Sequence, residues 1–242
     1  MEFHKLYYSL FQDAESHLQI VRILSKKRHG LNRLDLLKQA GIKSSSRSQK
    51  ILEELEASGF LMALPEVGKK ARDKCYYLSD EYSLFYLNWI EPVKSTLLQG
   101  VEKDYWIKQQ ASPSWKSWAG FAFESLCQKH ISRIKDALQI GAVTSSTGYW
   151  HAFSNGKKEG AIDLVIDRAD QCINLCEIKF HLSEFVVSKS YAQELAKKSS
   201  LFRERTKTKK ALFVTLITPY GAKENAHYLS SVNSQLTLDA LF

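Results

Sequence analysis

Two carboxylates and a lysine stand inside otherwise apolar sequence. Gly160-Ala161-Ile162-Asp163-Leu164-Val165-Ile166-Asp167 is followed by a polar turn, then by Ile173-Asn174-Leu175-Cys176-Glu177-Ile178-Lys179-Phe180. Short apolar runs bounded by a turn read as strands that bury their side chains, and a buried carboxylate is costly unless it is paired or bound to metal. Two acids and a lysine in that setting suit a divalent-metal nuclease site. The plainer account makes Glu177 and Lys179 an ordinary ion pair on a solvated strand and Asp167-Arg168 a lead-in to the turn.

Pairing arithmetic separates these residues into faces. With the turn centred on Asp170, Asp163 and Glu177 are equidistant from it and fall opposite each other. Alternation along a strand puts Lys179 on the face of Glu177. Residues directly opposed across a ladder have Cβ atoms about 4.5–5.5 Å apart. Asp163, Glu177 and Lys179 then form one cluster, with Leu164, Ile166, Cys176, Ile178 and Phe180 on the other face. A one-residue slip would scatter the cluster.

The elements that must position this hairpin are legible around it. A helix is expected from about Trp115 to Leu138, with Trp118, Phe121, Ala122, Ser125 and Leu126 at helical spacing and Glu124 beside the stripe. A strand near Tyr149 to Phe153 precedes the hairpin. A helix from about Ser188 to Phe202, a strand Ala211 to Ile217, a helix Ala222 to Ser231 and a short strand Gln235 to Leu238 follow it. That order predicts an α/β domain over residues 111–242 with a mixed central sheet.

The first 80 residues have a different texture. His17 to Ser25 has helical apolar spacing, Asn32 is placed to cap a second helix ending at Ala40-Gly41, and Ser44 to Ser46 cap a third ending at Ser58-Gly59. Two strands, Phe60 to Leu64 and Cys75 to Leu78, flank a basic loop with Lys69, Lys70 and Arg72. Three helices and a β-hairpin make a winged helix. Arg47, Gln49 and Lys50 on its third helix and Lys69 and Lys70 in its wing suit phosphates and base edges; Glu53, Glu54 and Glu56 on the same helix suit a packing module instead. Residues 81–110 are an aromatic-rich helical linker, helical to about Gln99, whose rings are expected to pack rather than to stack on bases.

Composition narrows the class. The 242 residues suit one large or two small domains, and a net charge of +8 favours a polyanionic partner. Cys75, Cys127, Cys172 and Cys176 form no Cys-x-x-Cys pair, which points to reduced thiols in a cytoplasmic protein. No apolar run approaches the ~20 residues of a membrane helix. The N-terminus has no signal-peptide core, and no P-loop is present, so this chain alone should not hydrolyse ATP.

Glu124 on a leading helix, Asp163 on one strand and Glu177-Ile178-Lys179 on the next resemble the core of the PD-(D/E)xK nuclease superfamily. Asp80-Glu81-Tyr82-Ser83-Leu84-Phe85-Tyr86, Trp118-Ala119-Gly120-Phe121-Ala122-Phe123-Glu124, Ile162 to Arg168 and Cys176 to Phe180 resemble more closely the C-terminal region of a bacterial and archaeal AAA+ ATPase family. There a P-loop ATPase precedes a winged helix and a nuclease-like domain of unknown function. The resemblance covers nearly the whole chain. It implies a restriction-endonuclease-like fold and Mg²⁺ (or Mn²⁺) on Asp163, Glu177 and the Ile178 carbonyl. It implies that Lys179 orients water or stabilises developing charge, and that Glu124 holds a water of the ion's shell or a second ion. It also implies that Lys189 and Tyr191 contact substrate. The sequence departs from the family pattern at Ile162, where a proline is usual, and Glu159 is a rival acidic ligand. The basic stretch Lys197-Lys198, Arg203, Arg205, Lys207, Lys209 and Lys210 either holds a phosphate backbone or is a solvated helix end.

Three functions are therefore expected to compete. One is a Mg²⁺-dependent DNA endonuclease docked by its winged helix. The second is a catalytically silent DNA-binding or regulatory module working with a P-loop ATPase partner. The third is a protein-interaction module.

Overall fold

The computed structural model describes residues 2–27, 29–69, 73–95, 100, 104–154 and 157–242. The chain divides into two compact units, residues 1–64 with 73–125 and residues 65–72 with 126–242.

In the first unit, α1 (Glu2–Leu10) and α2 (Ala14–Leu24) precede a short strand, β1 (Leu31–Asn32), and the helices α3 (Arg33–Gln39) and α4 (Ser46–Ala57). The starts follow the capping residues. The Asn32 side chain accepts from the Asp35 amide at 2.9 Å, and Ser45 and Ser48 cap α4 reciprocally. Gly41 and Gly59, just past the two helix ends, take φ of +63° and +77°, where a side chain would be strained. Strands β2 (Leu61–Pro65) and β3 (Lys74–Leu78) complete a sheet of order β1-β3-β2. One apolar core unites these elements: Phe3, Tyr7, Leu18, Ile20, Val21, Leu24, Leu36, Leu52, Leu55, Tyr76 and Leu78 are all nearly or wholly buried in it.

The described part of residues 81–110 belongs to this first unit. It forms α5 (Glu81–Phe85), a π-helical turn over Tyr86–Ile90, a 3₁₀ turn over Glu91–Val93 and α6 (Tyr105–Ala111). The expected continuation to Gln99 lies outside the described residues. The aromatics pack on one another, with the Trp89 ring 4.9 Å from Trp115 and Trp115 5.0 Å from Trp118.

The long helix expected over 115–138 is two helices, α7 (Pro113–Lys129) and α8 (Ile131–Ala137). The break falls at His130, whose backbone leaves helical geometry and whose ring Nδ1 lies 2.9 Å from the Leu126 carbonyl.

The second unit is built on a five-stranded mixed sheet of order β10-β8-β6-β5-β4. Its strands are β4 (Ser145–Ser154), β5 (Lys157–Arg168), β6 (Cys172–Ile178), β8 (Ala211–Ile217) and β10 (Ser234–Leu236). β4 and β6 each pair antiparallel with β5, whereas β6, β8 and β10 are mutually parallel. A two-stranded ribbon, β7 (Phe185–Val186) with β9 (Ala222–Lys223), lies outside the main sheet. The helix expected from Ala222 begins only at Ala226: α10 spans Ala226–Ser231, because Asn225 is its cap and the two residues before Glu224 pair with β7 instead. The long helix α9 (Lys189–Thr206) covers one sheet face. Its Phe202 is fully buried with Trp150, Ile162, Val165, Ile173 and Leu175, and its Leu195 with Val214 and Leu216.

Candidate functional site

The β5–β6 register is the one the symmetric hairpin requires. Asp167 pairs with Ile173, Ile166 with Asn174, Val165 with Leu175 and Leu164 with Cys176, all centred on Asp170. The turn is fixed from below, where the Arg168 guanidinium forks onto the Asp170 carboxylate and reaches Asn174 Oδ1 at 3.2 Å.

Regular pairing stops at Leu164–Cys176, one residue short of Asp163 and Glu177. On its other side β5 carries a register shift against β4: Val165 pairs with Gly148 but Ile162 with Trp150, so Asp163 and Leu164 oppose the single residue Tyr149. A bulge bends a strand and re-aims a side chain. The Asp163 carboxylate takes the place of a backbone partner, with Oδ2 accepting the Ile178 amide at 2.9 Å. Gln128 donates to the Asp163 carbonyl at 3.3 Å.

Three expected residues converge at this point. Lys179 Nζ lies 3.4 Å from Asp163 Oδ2, 3.4 Å from Glu177 Oε2 and 3.3 Å from the Ile178 carbonyl. Glu177 is 2% exposed. Its burial, followed by the charge of Asp163, pushes its carboxyl above the usual carboxylate range, while Lys179 and Lys198 pull the other way. One face over, the Cys176 thiol is pushed up to about 12 by burial.

Lys198 is the member that sequence reading missed. Its Nζ lies 2.7 Å from Glu177 Oε2, closer than Lys179, and 3.1 Å from Glu194 on the preceding turn of α9. In the sequence it is one of seven basic residues in a run, and only the crossing of α9 over β6 singles it out. The signal that could have found it is the Glu194–Lys198 spacing of four, which marks a helix face.

Three buried side-chain oxygens on this side of the sheet have no hydrogen-bond partner: Glu177 Oε1, Tyr191 Oη and Thr218 Oγ1. Buried polar atoms are seldom left so, and each calls for water, an ion or a ligand. Thr218 follows Ile217, whose carbonyl accepts the Lys179 amide at 2.9 Å.

The other expected residues are placed as follows. Tyr191 is half-buried, with its ring 5.4 Å from Phe185 and its hydroxyl buried. Lys189 is exposed and borders a groove of about 420 Å³ with Ala192, Gln193, His227 and Ser230. Glu159 is tied to Arg205 at 2.7 Å, and Lys210 to Asp167 at 2.6 Å. Glu124 is 9% exposed on α7 and falls in the first unit.

The expected nucleic-acid contacts of the first unit are each engaged with an acid. Arg47 bonds Asp13 at 2.9 Å, and Lys50 lies 3.6 Å from Glu54. Gln49 accepts from Arg33 and donates to Glu53. In the second unit, Lys69 bonds Glu66 at 2.6 Å. Lys70 lies outside the described residues.

As a donor set, Asp163, Glu177 and the Ile178 carbonyl are all oxygen. No group of three His, Cys, Asp or Glu gathers among the described residues. Mg²⁺ takes one or two carboxylates and keeps several waters, so these three oxygens are the ones that could hold it. The unpartnered Glu177 Oε1 is the atom such an ion would satisfy.

A protein-family model described as archaeal and bacterial proteins of unknown function matches residues 86–194. The match contains Glu124, Asp163, Glu177, Lys179, Lys189 and Tyr191, and stops short of Lys198. No curated protein and no solved structure matches the chain significantly. Among the described residues, no helix is long and apolar enough to cross a membrane.

Proposed function

We propose that this chain is a Mg²⁺-dependent DNA endonuclease of the PD-(D/E)xK type, its second unit carrying the site and its first unit being a winged helix. The observation that carries this reading is the convergence of Asp163, Glu177 and Lys179 where the β5–β6 ladder ends, with one buried oxygen of Glu177 left without a partner. A buried oxygen left without a partner costs about 1–3 kcal/mol, and an ion at Oε1 would remove that cost.

In this reading Asp163, Glu177 and the Ile178 carbonyl hold Mg²⁺ (or Mn²⁺), which when bound acidifies water and offsets phosphate charge. The protein's own groups do the rest. The Asp163 side chain is held by the Ile178 amide, so the carboxylate is preorganised. Lys179 extends from the following residue with its ammonium between both acids, placed to orient water or to stabilise charge developing on the phosphate. DNA attraction draws on the net charge of +8.

The second reading, a silent module serving a P-loop ATPase partner, also has an observation in its favour. Asp163 and Glu177 are each already paired with an ammonium, Lys179 and Lys198, without an ion. The paired state of Arg47 and Lys50 likewise favours a first unit that binds protein. Plasmid cleavage with Mg²⁺ or Mn²⁺ decides between them. Wild type should nick or linearise DNA, and Asp163→Ala and Lys179→Ala should not. Equal cutting by both variants, or none by wild type, sinks the nuclease. A salt-sensitive gel shift without cleavage supports the silent DNA-binding module, and no shift at low salt supports the protein-interaction module.

A further inference from the structure

We propose that Lys198 is a positioning residue that makes Glu177 a one-oxygen ligand, reserving Oε1 for the metal by occupying Oε2; this rests on the metal-site reading above. The two carboxylate oxygens have unequal surroundings. Oε2 receives Lys198 Nζ at 2.7 Å and has Lys179 Nζ at 3.4 Å. Oε1 is buried and has no partner. A carboxylate is free to turn about its last bond, so this inequality needs a cause, and the ammonium on α9 supplies it.

Lys198 is itself held in place. Its side chain is 15% exposed, and Glu194, one turn earlier, takes the same ammonium at 3.1 Å. Glu followed by Lys at a spacing of four is the favourable order on a helix. The helix is fixed against the sheet by Leu195 and Phe202 on either side of Lys198, both buried. The ammonium is thus a rigid donor aimed at one oxygen. A second consequence concerns Lys179. With Lys198 closest to Glu177, Lys179 is shared between Asp163 and Glu177 at equal distance, rather than drawn onto Glu177 alone. That leaves its ammonium central, where a phosphate oxygen would need it. A one-oxygen ligand also keeps more of the ion's positions for water and substrate.

The informative variant is Lys198→Arg, because it keeps the charge and so leaves ion repulsion unchanged. A planar guanidinium forks onto both oxygens of a carboxylate, which would cover Oε1. Calorimetric titration of the full chain with Mn²⁺ alone should show one site in wild type, none in Asp163→Ala, and an affinity weakened by roughly 10- to 100-fold in Lys198→Arg, the usual effect of disturbing a group that orients a ligand. Thermal unfolding of Lys198→Arg in EDTA should match wild type, which a merely structural lysine would not combine with lost affinity. In Mn²⁺-soaked crystals of wild type, the anomalous peak should touch Oε1, with Lys198 still on Oε2. Lys198→Arg binding Mn²⁺ as tightly as wild type, or a peak on Oε2 with Lys198 displaced, overturns the role of Lys198 and leaves the metal site standing. Absence of Mn²⁺ binding by wild type overturns the metal site and this role with it.

Discussion

In the proposed reading Asp163 has two separable roles, and one pair of substitutions tells them apart. Its Oδ2 accepts the amide of Ile178, a residue 1% exposed, at 2.9 Å. It also faces Lys179 at 3.4 Å, a pair with side chains 20% and 30% exposed. Asp163→Ala strands the buried amide, which costs about 1–3 kcal/mol. Asp163→Asn keeps an amide oxygen for the Ile178 N–H and loses only a partly solvated ion pair, worth about 0–1 kcal/mol. At about 2–4 °C per kcal/mol for a chain of this size, Ala should lower the melting temperature by roughly 2–12 °C and Asn should scarcely move it. Both remove the ionised ligand, so both should lose Mn²⁺ binding and plasmid cleavage. Differential scanning fluorimetry in EDTA, alongside calorimetry with Mn²⁺, reads the two effects separately. Equal destabilisation by Asn and Ala would show that the Ile178 amide does not depend on the carboxylate oxygen. Cleavage by Asp163→Asn at the wild-type rate would show that the carboxylate is no ligand.

Other expectations follow from particular contacts. Gly148→Ala places a Cβ 2.4 Å from the Pro65 carbonyl oxygen, so the segment that bonds β4 through the Val67 amide and the Tyr149 carbonyl must lift away; a loss of about 1–3 kcal/mol is expected by denaturant unfolding, and wild-type stability would refute the close approach. Phe202→Ala removes a fully buried ring that packs 5.2 Å from Trp150 and should cost about 3–5 kcal/mol by the same measurement. The Arg22 guanidinium holds the Glu91 carboxyl below the usual carboxylate range. A carboxyl depressed on folding stabilises above its unfolded pKa and loses that contribution as pH falls through its folded value. Melting temperature measured downward from neutral pH should therefore fall less steeply in Arg22→Gln than in wild type, and identical slopes would refute the linkage.

Much of the fold was legible because its signals are local. Asn32 and Ser45 announce helix starts through hydrogen bonds spanning three residues. Alternation about Asp170 fixed the hairpin register, since one face of those strands cannot tolerate a slip. The readings that failed were those where distant chain competes for a local preference. Ala222 and Lys223 looked like a helix start but pair with Phe185 and Val186, far earlier in the chain. The helix over 113–137 has no proline or glycine at its break, and His130 interrupts it without a composition signal.

The same division runs through the candidate site. With the turn centred on Asp170, alternation in the sequence by itself places Asp163, Glu177 and Lys179 on one face. Only the tertiary structure decided how they are used. The bulge opposite Tyr149 brings the Asp163 carboxylate to the Ile178 amide. The crossing of α9 sets Lys198, one basic residue among seven in its run, on a single oxygen of Glu177. Side-chain direction along a strand is a property of neighbouring residues, whereas which charge meets which oxygen depends on how a helix twenty residues later lies across the sheet.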